Sequence, residues 1–397
     1  MDLPHCITMI APFGIRPKGT LLARMLPLAK ALTRAGMQVV IVAPPVHNPQ
    51  DAGTQQEYDG VVVRHTNVPH LPGFLGVCEQ AWLLVQAVLR TSPDCVYLFK
   101  PKGHAGLAAQ WLRWTQPQMP MVVDCDDREG TGGWNDVLPY PLLAKWLFAW
   151  QERSLPRRAD AVTVASRALQ TLCWADGCVP DGVVYLPNAA DLDAHPNSLS
   201  AKDSLRLVLY TRFWEFDAAM LVAVLAELFA AHPAVHLDVI GTGENGEEQQ
   251  FATMLAHAGL SARVTMHGWV QPAQITPLLR VAAIALVPVA DTLINRSRCS
   301  AKLLELLAAG IAVVGHDVGE MQTFVDHDVN GILVPAGDNS AFARALLSLV
   351  ENPQRLSAMQ EAAAESARLH QWDARVASCH TALQIAFTRA HARNRKR

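Results

Sequence analysis

The residues of this chain best suited to chemistry gather in RCSAKLLELLAAGIAVVGHDVGE, Arg298 to Glu320. The stretch predicts a polar turn, a short helix from Ala301, a stop at Gly310 and then a buried apolar strand. Lys302 and Glu305 stand three apart and so share a face of that helix. A helix start aims free backbone N–H groups, and the positive end of its dipole, at whatever precedes Ala301, which makes a seat for an anion. Lys302 suits a phosphate there, and Glu305 suits vicinal hydroxyls such as those of a ribose. A capped core helix with a solvated Lys/Glu pair accounts for the same segment, so the other loops must decide between the two.

In open parallel sheets ligands lie beyond the carboxyl ends of the strands, and those positions are polar throughout this chain. PFGIRPKGT follows the first strand-like run; Gly14 and Gly19 allow close backbone approach, while Arg16 and Lys18 bring charge. It is not G-x-G-x-x-G, which removes the main support for dinucleotide binding. Lys100, Lys102 and His104 follow CVYLF, and His104 reads either as a capping or packing residue or as a proton carrier or substrate ligand. MVVDC followed by DDREGTGGWND then sets Asp124, Asp126, Asp127 and Glu129 within six residues, ahead of Trp134. Metal binding, sugar hydroxyls and helix capping all use such a loop; with no histidine in it, sugar or acceptor contact is the reading adopted, and Trp134 is either a platform for a sugar ring or a packed residue.

In the second half Arg212 stands just past LRLVLY, where a guanidinium can hold a pyrophosphate at two points. VIGTGENG puts Gly243 and Glu244 in a flexible turn. MHGWV sets the backbone of Gly268 to Val270 beside Trp269, an arrangement that suits a nucleobase and equally a hairpin-like turn with a packed indole. Ser297 and Ser300 lie in the polar region ahead of the helix at Ala301 and join the nucleotide-sugar set. Arg212, a helix start, Lys302 and Glu305 are together the groups a nucleoside diphosphate needs.

The elements that must position these residues alternate between strand and helix. Apolar runs at 6–11, 39–44, 61–65, 95–99, 121–125, 161–165 and 183–187 are separated by stretches of helical periodicity, which predicts a doubly wound parallel sheet. Residues 187–204 are polar, broken by prolines and aperiodic, the character of a linker. The pattern restarts at 205–210, 235–241, 263–268, 283–289, 311–315 and 331–335, a second Rossmann-like unit, and from Asp338 onward the chain reads as helix. The boundaries that follow are 1–190 for the first domain, 191–204 for the linker, 205–370 for the second domain and 371–397 for a crossover helix with a basic tail.

Composition narrows the class. The chain has 397 residues, half of them hydrophobic, enough for two separate cores and incompatible with disorder. A net charge of −3 gives no global attraction to nucleic acid. The start, MDLPHCITMIAP, reads as neither a signal peptide nor a membrane span, and a cytoplasmic location is expected. Eight scattered cysteines without zinc-type spacing read as reduced core thiols. The tail RAHARNRKR and the aromatic, basic stretch 140–158 are the two candidates for peripheral contact with a membrane; for the second, packing of its apolar face on the sheet is the expected fate.

The motifs PKGTLLARMLPLAKALTRAGMQVVIVAP, ADAVTVAS, LPNAAD, GTGE, VTMHGWV and above all SAKLLELLAAGIAVVGHDVGE with NGILVPAGD resemble those of the family 4-like glycosyltransferases of the GT-B architecture. The resemblance implies two Rossmann-like domains facing each other across a cleft, with a terminal helix that returns to the first domain after a tryptophan, here Trp372. It implies a nucleotide-sugar donor held mainly by the second domain and a saccharide or lipid-linked acceptor held mainly by the first. Transfer with retention is implied, and with fixed cations at the departing diphosphate no metal or other cofactor is expected. Glu305 matches the second glutamate of the family's Glu-seven-residues-Glu motif, whose first position is Ser297 here. Arg212 matches the arginine that grips the donor phosphates; the lysine usual five residues later is Asp217, and Lys302 supplies a replacement charge. His104 and Asp127 are the acceptor-side candidates. An inactive homologue that binds nucleotide sugar or a partner enzyme, and a nucleotide-sugar epimerase, are the alternatives.

Overall fold

The structure is a computed structural model that describes residues 5–16, 19–192 and 202–395. Lys18, much of the expected linker (193–201) and the last two residues of the basic tail lie outside the described residues. The chain divides into two compact units: residues 1–188 with 297–299 and 372–397, and residues 189–296 with 300–371.

The first unit is built on an eight-stranded sheet of β1 (Cys6–Ile10), β2 (Gln38–Ala43), β3 (Gln55–Tyr58), β4 (Val61–His65), β5 (Cys95–Phe99), β6 (Met121–Cys125), β7 (Ala161–Val164) and β8 (Val183–Tyr185), in the order β3-β4-β2-β1-β5-β6-β7-β8. Each of the seven expected strands is present. The strand not foreseen is β3, QQEY, which pairs antiparallel with β4 at the sheet edge. Its residues are alternately exposed and half-buried, so it lacks the apolar run that marks the central strands. β1, β5 and β6 carry almost only buried side chains, as strands covered on both faces must.

The order reverses between β1 and β5, so the loops that leave those two strands open onto the same edge. The final helix, Val376–Asn394, belongs to this unit and packs against β6, β7 and β8. The helix Leu142–Arg158 departs from expectation: it buries Gln151, Glu152, Leu155 and Pro156, while Leu142, Leu143 and Trp146 in its first turns are exposed.

The second unit holds an all-parallel six-stranded sheet of β9 (Asp203–Tyr210), β10 (His236–Ile240), β11 (Val264–Gly268), β12 (Ala282–Val287), β13 (Ala312–His316) and β14 (Gly331–Val334). The order is β11-β10-β9-β12-β13-β14, and the reversal falls between β9 and β12. The core on one side of this sheet joins Leu207, Leu209, Val239 and Leu286 to Phe213, Phe216, Phe229 and Phe251. Among the described residues no helix is long and apolar enough to cross a membrane.

Candidate functional site

The helix at the centre of the sequence reading forms over Ala301–Ala308. Ser300 is its N-cap, its hydroxyl accepting a hydrogen bond from the Leu303 N–H at 3.3 Å, and it ends where Gly310 takes φ +65°. The cap uses one orphan donor of the first turn. Its apolar face (Leu303, Leu304, Leu306, Leu307) is buried, which turns Lys302 and Glu305 to the outer face they share.

The end of β9 supplies the opposing groups. Glu215 is buried; one carboxylate oxygen accepts from the Thr211 hydroxyl at 2.8 Å and from the Arg212 backbone N–H at 2.9 Å, while the other lies 3.7 Å from Lys302 Nζ. The Glu215 carbonyl accepts from Ala290 N at 2.8 Å and Asn295 Nδ2 at 2.9 Å. One glutamate thus ties together the loops that follow β9 and β12 and the helix that bears Lys302. Phe213 inside this turn has φ +68°, a left-handed conformation strained for an aromatic residue, and is held by burial against Phe216 and Phe251. The guanidinium of Arg212 pairs with Glu244. Lys302 Nζ also lies 5.0 Å from the centroid of the Tyr210 ring, and the Tyr210 hydroxyl hydrogen-bonds Glu305. Burial, and then the Glu305 carboxylate, push the Tyr210 phenol well above its ordinary value.

The glycine-bearing loops sit beside these groups. Gly241 has φ +120°, and a Cβ there would lie 1.9 Å from the Thr211 carbonyl oxygen, so the backbone after β10 closes directly on that after β9. Gly241 N donates to Gly268 O at 2.8 Å, and Gly268 has φ +64° with open space around it. Gly243 N donates to Glu248 at 2.8 Å. Trp269 is 55 % exposed, which excludes the packed-indole reading of MHGWV. Arg212, Gly243, Glu244, Gly268, Trp269, Ser300, Lys302 and Glu305 all belong to the second unit.

Ser297 does not. It is fully buried in the first unit, its carbonyl accepting from the Ser166 hydroxyl at 2.6 Å, and its own hydroxyl has no partner among the described residues. Asp217 caps the helix Ala218–Ala231 by accepting from Ala219 N, so that position carries a structural role in place of a phosphate-facing charge.

In the first unit the loops after β1 and β5 meet as the strand reversal requires: His104 Nε2 lies 3.0 Å from the Pro12 carbonyl oxygen. A carbonyl only accepts, so Nε2 carries the proton, and burial pulls the imidazole below its ordinary pKa. Gly14 lies so close to Asn48 that a Cβ would stand 1.8 Å from the amide oxygen. Gly19 is exposed.

The acidic loop is less available than its sequence suggests. Asp124 is fully buried and forms a two-point pair with Arg24 (2.7 Å for each bond), and Arg24 also donates to Asn188 and to the Leu186 carbonyl. Glu129 is buried between Lys102 at 2.5 Å and Lys100 at 3.2 Å. These two carboxylates neutralise interior cations, while Asp126 and Asp127 are only partly buried and Asp136 is exposed. Lys100 Nζ reaches Asp127 at 2.8 Å and Asp126 at 3.8 Å. Burial alone would raise Asp127, yet Lys100, Arg298 and the Trp134 indole hold it below the usual carboxylate range; burial pushes Asp126 up to about 7. Trp134 is buried, so it packs and offers no sugar platform. Among the described residues no group of three or more His, Cys, Asp or Glu side chains is arranged to hold a metal.

Glu215, Tyr210 and Arg24 escaped the sequence reading. Arg24 alone left a signal, a charge among apolar residues spaced for the buried face of a helix.

Comparison with known proteins agrees with this architecture. Residues 19–189 match the model of the glycosyl transferase 4-like domain, and residues 205–352 match that of the glycosyl transferases group 1. A phosphatidyl-myo-inositol mannosyltransferase of Mycobacterium leprae is 24 % identical over 381 residues, covering 92 % of this chain and 93 % of its own length. A D-inositol 3-phosphate glycosyltransferase of Segniliparus rotundus is 29 % identical over 157 residues, which is 39 % of this chain and only 34 % of that protein. Among solved structures, the Anabaena protein HepE in complex with UDP and glucose superposes with a TM-score of 0.68 at 18 % identity, covering 94 % of this chain and 98 % of the other, a likeness of fold. With both of its α/β units matched in sequence and in fold, the chain belongs to the glycosyl transferases group 1, or 4-like, family.

Proposed function

We propose that the protein transfers a sugar from a nucleoside-diphosphate sugar to an acceptor hydroxyl, with retention at the anomeric carbon and without a metal. The observation that carries this reading is the grouping, within the second unit, of Arg212, Lys302 and Glu305 around the Ser300-capped helix start. The bond between the anomeric carbon and the diphosphate oxygen breaks, and the negative charge that gathers on the departing diphosphate is met by the Lys302 ammonium, the Arg212 guanidinium and the positive end of the helix dipole. Removing one such donor typically raises the barrier by on the order of 2.7–4 kcal/mol. Glu305 accepts hydrogen bonds from the ribose. Gly243 and Glu244 line the diphosphate, the open backbone at Gly268 takes the base, and the exposed Trp269 covers it.

On the acceptor side His104, neutral and hydrogen-bonded to Pro12, shapes the loop that carries Gly14 and Gly19. Asp127 is ionised beside Lys100 and acts electrostatically rather than as a strong base. The named activities of the relatives favour a polyol or lipid-linked acceptor, and the exposed Leu142, Leu143 and Trp146 are the surface with which we expect a bilayer to be met.

A binding module without turnover is the second reading, favoured by Ser297 and Asp217, which serve packing and capping here. A thermal-shift panel of UDP, GDP and ADP followed by a panel of donor sugars tests both. Stabilisation together with sugar release or transfer supports the enzyme, stabilisation alone the module, and no response to any nucleotide removes the donor site.

A further inference from the structure

A guanidinium that meets a diphosphate must exchange whatever anion it already holds, and Arg212 holds the carboxylate of Glu244, from the loop after β10. The two loops that carry this pair are fixed on either side of it. On the β9 side the Arg212 N–H donates to the buried Glu215 at 2.9 Å. On the β10 side both neighbours of Glu244 are tied to the first turn of the helix Glu247–His257: Gly243 N donates to Glu248 at 2.8 Å, and Asn245 N donates to Glu247 at 2.7 Å. The close approach of Gly241 to the Thr211 carbonyl oxygen sets the two loops against each other. Backbone geometry thus brings the guanidinium and the carboxylate together, unlike two long side chains that meet on an open surface. The side chains of Arg212 and Glu244 are 42 % and 27 % exposed, so an anion from solution can reach the pair. A carboxylate offers two negatively charged acceptor oxygens as a phosphate does, and a guanidinium takes either in the same fork.

We propose that Glu244 sets the affinity of the donor site: it stands in for a phosphate on Arg212, yields the guanidinium to the diphosphate when the donor binds and reclaims it when the diphosphate product leaves. The proposal rests on the donor-site reading above. It accounts for an acidic side chain among groups that line a diphosphate. Cations that stabilise a leaving diphosphate also retain it as product, and a competing carboxylate on one of them loosens that hold while leaving the cation in place for the transition state.

The test is isothermal titration of the wild type, Glu244→Gln, Arg212→Ala and the double variant with UDP, GDP and ADP. Glu244→Gln keeps the size of the side chain and removes its charge. It should tighten the best-bound nucleoside diphosphate by about fivefold, the worth of a partly exposed ion pair; a loop merely disordered by the substitution would bind it less well. In the Arg212→Ala background the same substitution should change the dissociation constant by less than about twofold, because no guanidinium is left to compete for. If neither the wild type nor Glu244→Gln binds any of the three, the donor-site reading falls and this inference with it. A diphosphate bound by the wild type and held no more tightly by Glu244→Gln overturns the role of Glu244 alone. An equal gain in both backgrounds overturns it too, since that pattern is general charge repulsion in place of competition for Arg212.

Discussion

Single residues in the second unit divide binding from turnover. Glu305 touches only the nucleotide end in the proposed complex, so Glu305→Ala should raise the nucleoside-diphosphate dissociation constant by about tenfold, the loss of a charge-assisted hydrogen bond; an unchanged constant by calorimetry refutes its ribose role. Arg212 is paired with Glu244, and a diphosphate must share or displace that glutamate. Its return therefore comes mainly as charge develops on the leaving group, and Arg212→Ala should lower kcat by roughly 10²–10³ with little change in donor affinity. An equal loss in both would show uniform binding. In the first unit, burial pushes Asp126 up to about 7. A carboxyl that holds its proton more tightly folded than unfolded costs stability as pH rises from about 4 through the folded value, and the cost is complete above it. Asp126→Asn removes that cost: its melting temperature should exceed the wild type's at pH 8, with the gap shrinking steadily toward pH 4.

At the scale of elements, backbone geometry sets what the strand ends can present. Gly241 and Gly268 both adopt left-handed conformations, but only Gly241 faces a backbone atom, the Thr211 carbonyl, at 1.9 Å from a would-be Cβ. Gly268→Ala should cost about 1–2 kcal/mol, the conformational penalty alone. Gly241→Ala should cost distinctly more, because β9 and β10 must part to admit the methyl, and it should disturb the Arg212 loop as well. Urea denaturation of the two variants checks the order, and equal losses would mean that the contact yields freely. The helix Ala301–Ala308 shows the same logic. Its Ser300 cap and buried leucines orient Lys302 and Glu305.

For the molecule as a whole, the first unit depends on segments distant in sequence. The first unit recruits Ser297–Cys299, where Asn188 bonds the Cys299 carbonyl at 2.6 Å, and the final helix Val376–Asn394. That helix buries Cys379, Ala382, Leu383, Ala386 and Ala390 completely, and Arg393 pairs with the buried Asp160. Truncation after Gln371 would bare the faces of β6 to β8 it covers and strand Asp160 with fewer cationic partners. The truncated chain should lose the cooperative melting of the first unit or aggregate on expression; a melt like that of the intact chain would show the helix to be dispensable.

Thirteen strands were legible from apolar runs because parallel strands buried on both faces have no other composition open to them, while β3 was missed because an edge strand needs none. The helix at Ala301 and the sharing of a face by Lys302 and Glu305 were likewise local matters, decided by a cap, a glycine and a period of 3.6. Partnership was not. Nothing in MVVDCDDREGTGGWND says that Asp124 and Glu129 are spent on interior cations, and nothing around Ser297 says that it packs with Ser166, 131 residues away in sequence. Nor does the last residue of an apolar strand announce that its ring and hydroxyl meet a lysine and a glutamate about ninety residues later. Periodicity and capping are written in neighbouring residues. Which charge meets which depends on strand order and on the return of distant segments, and only the folded chain decides it.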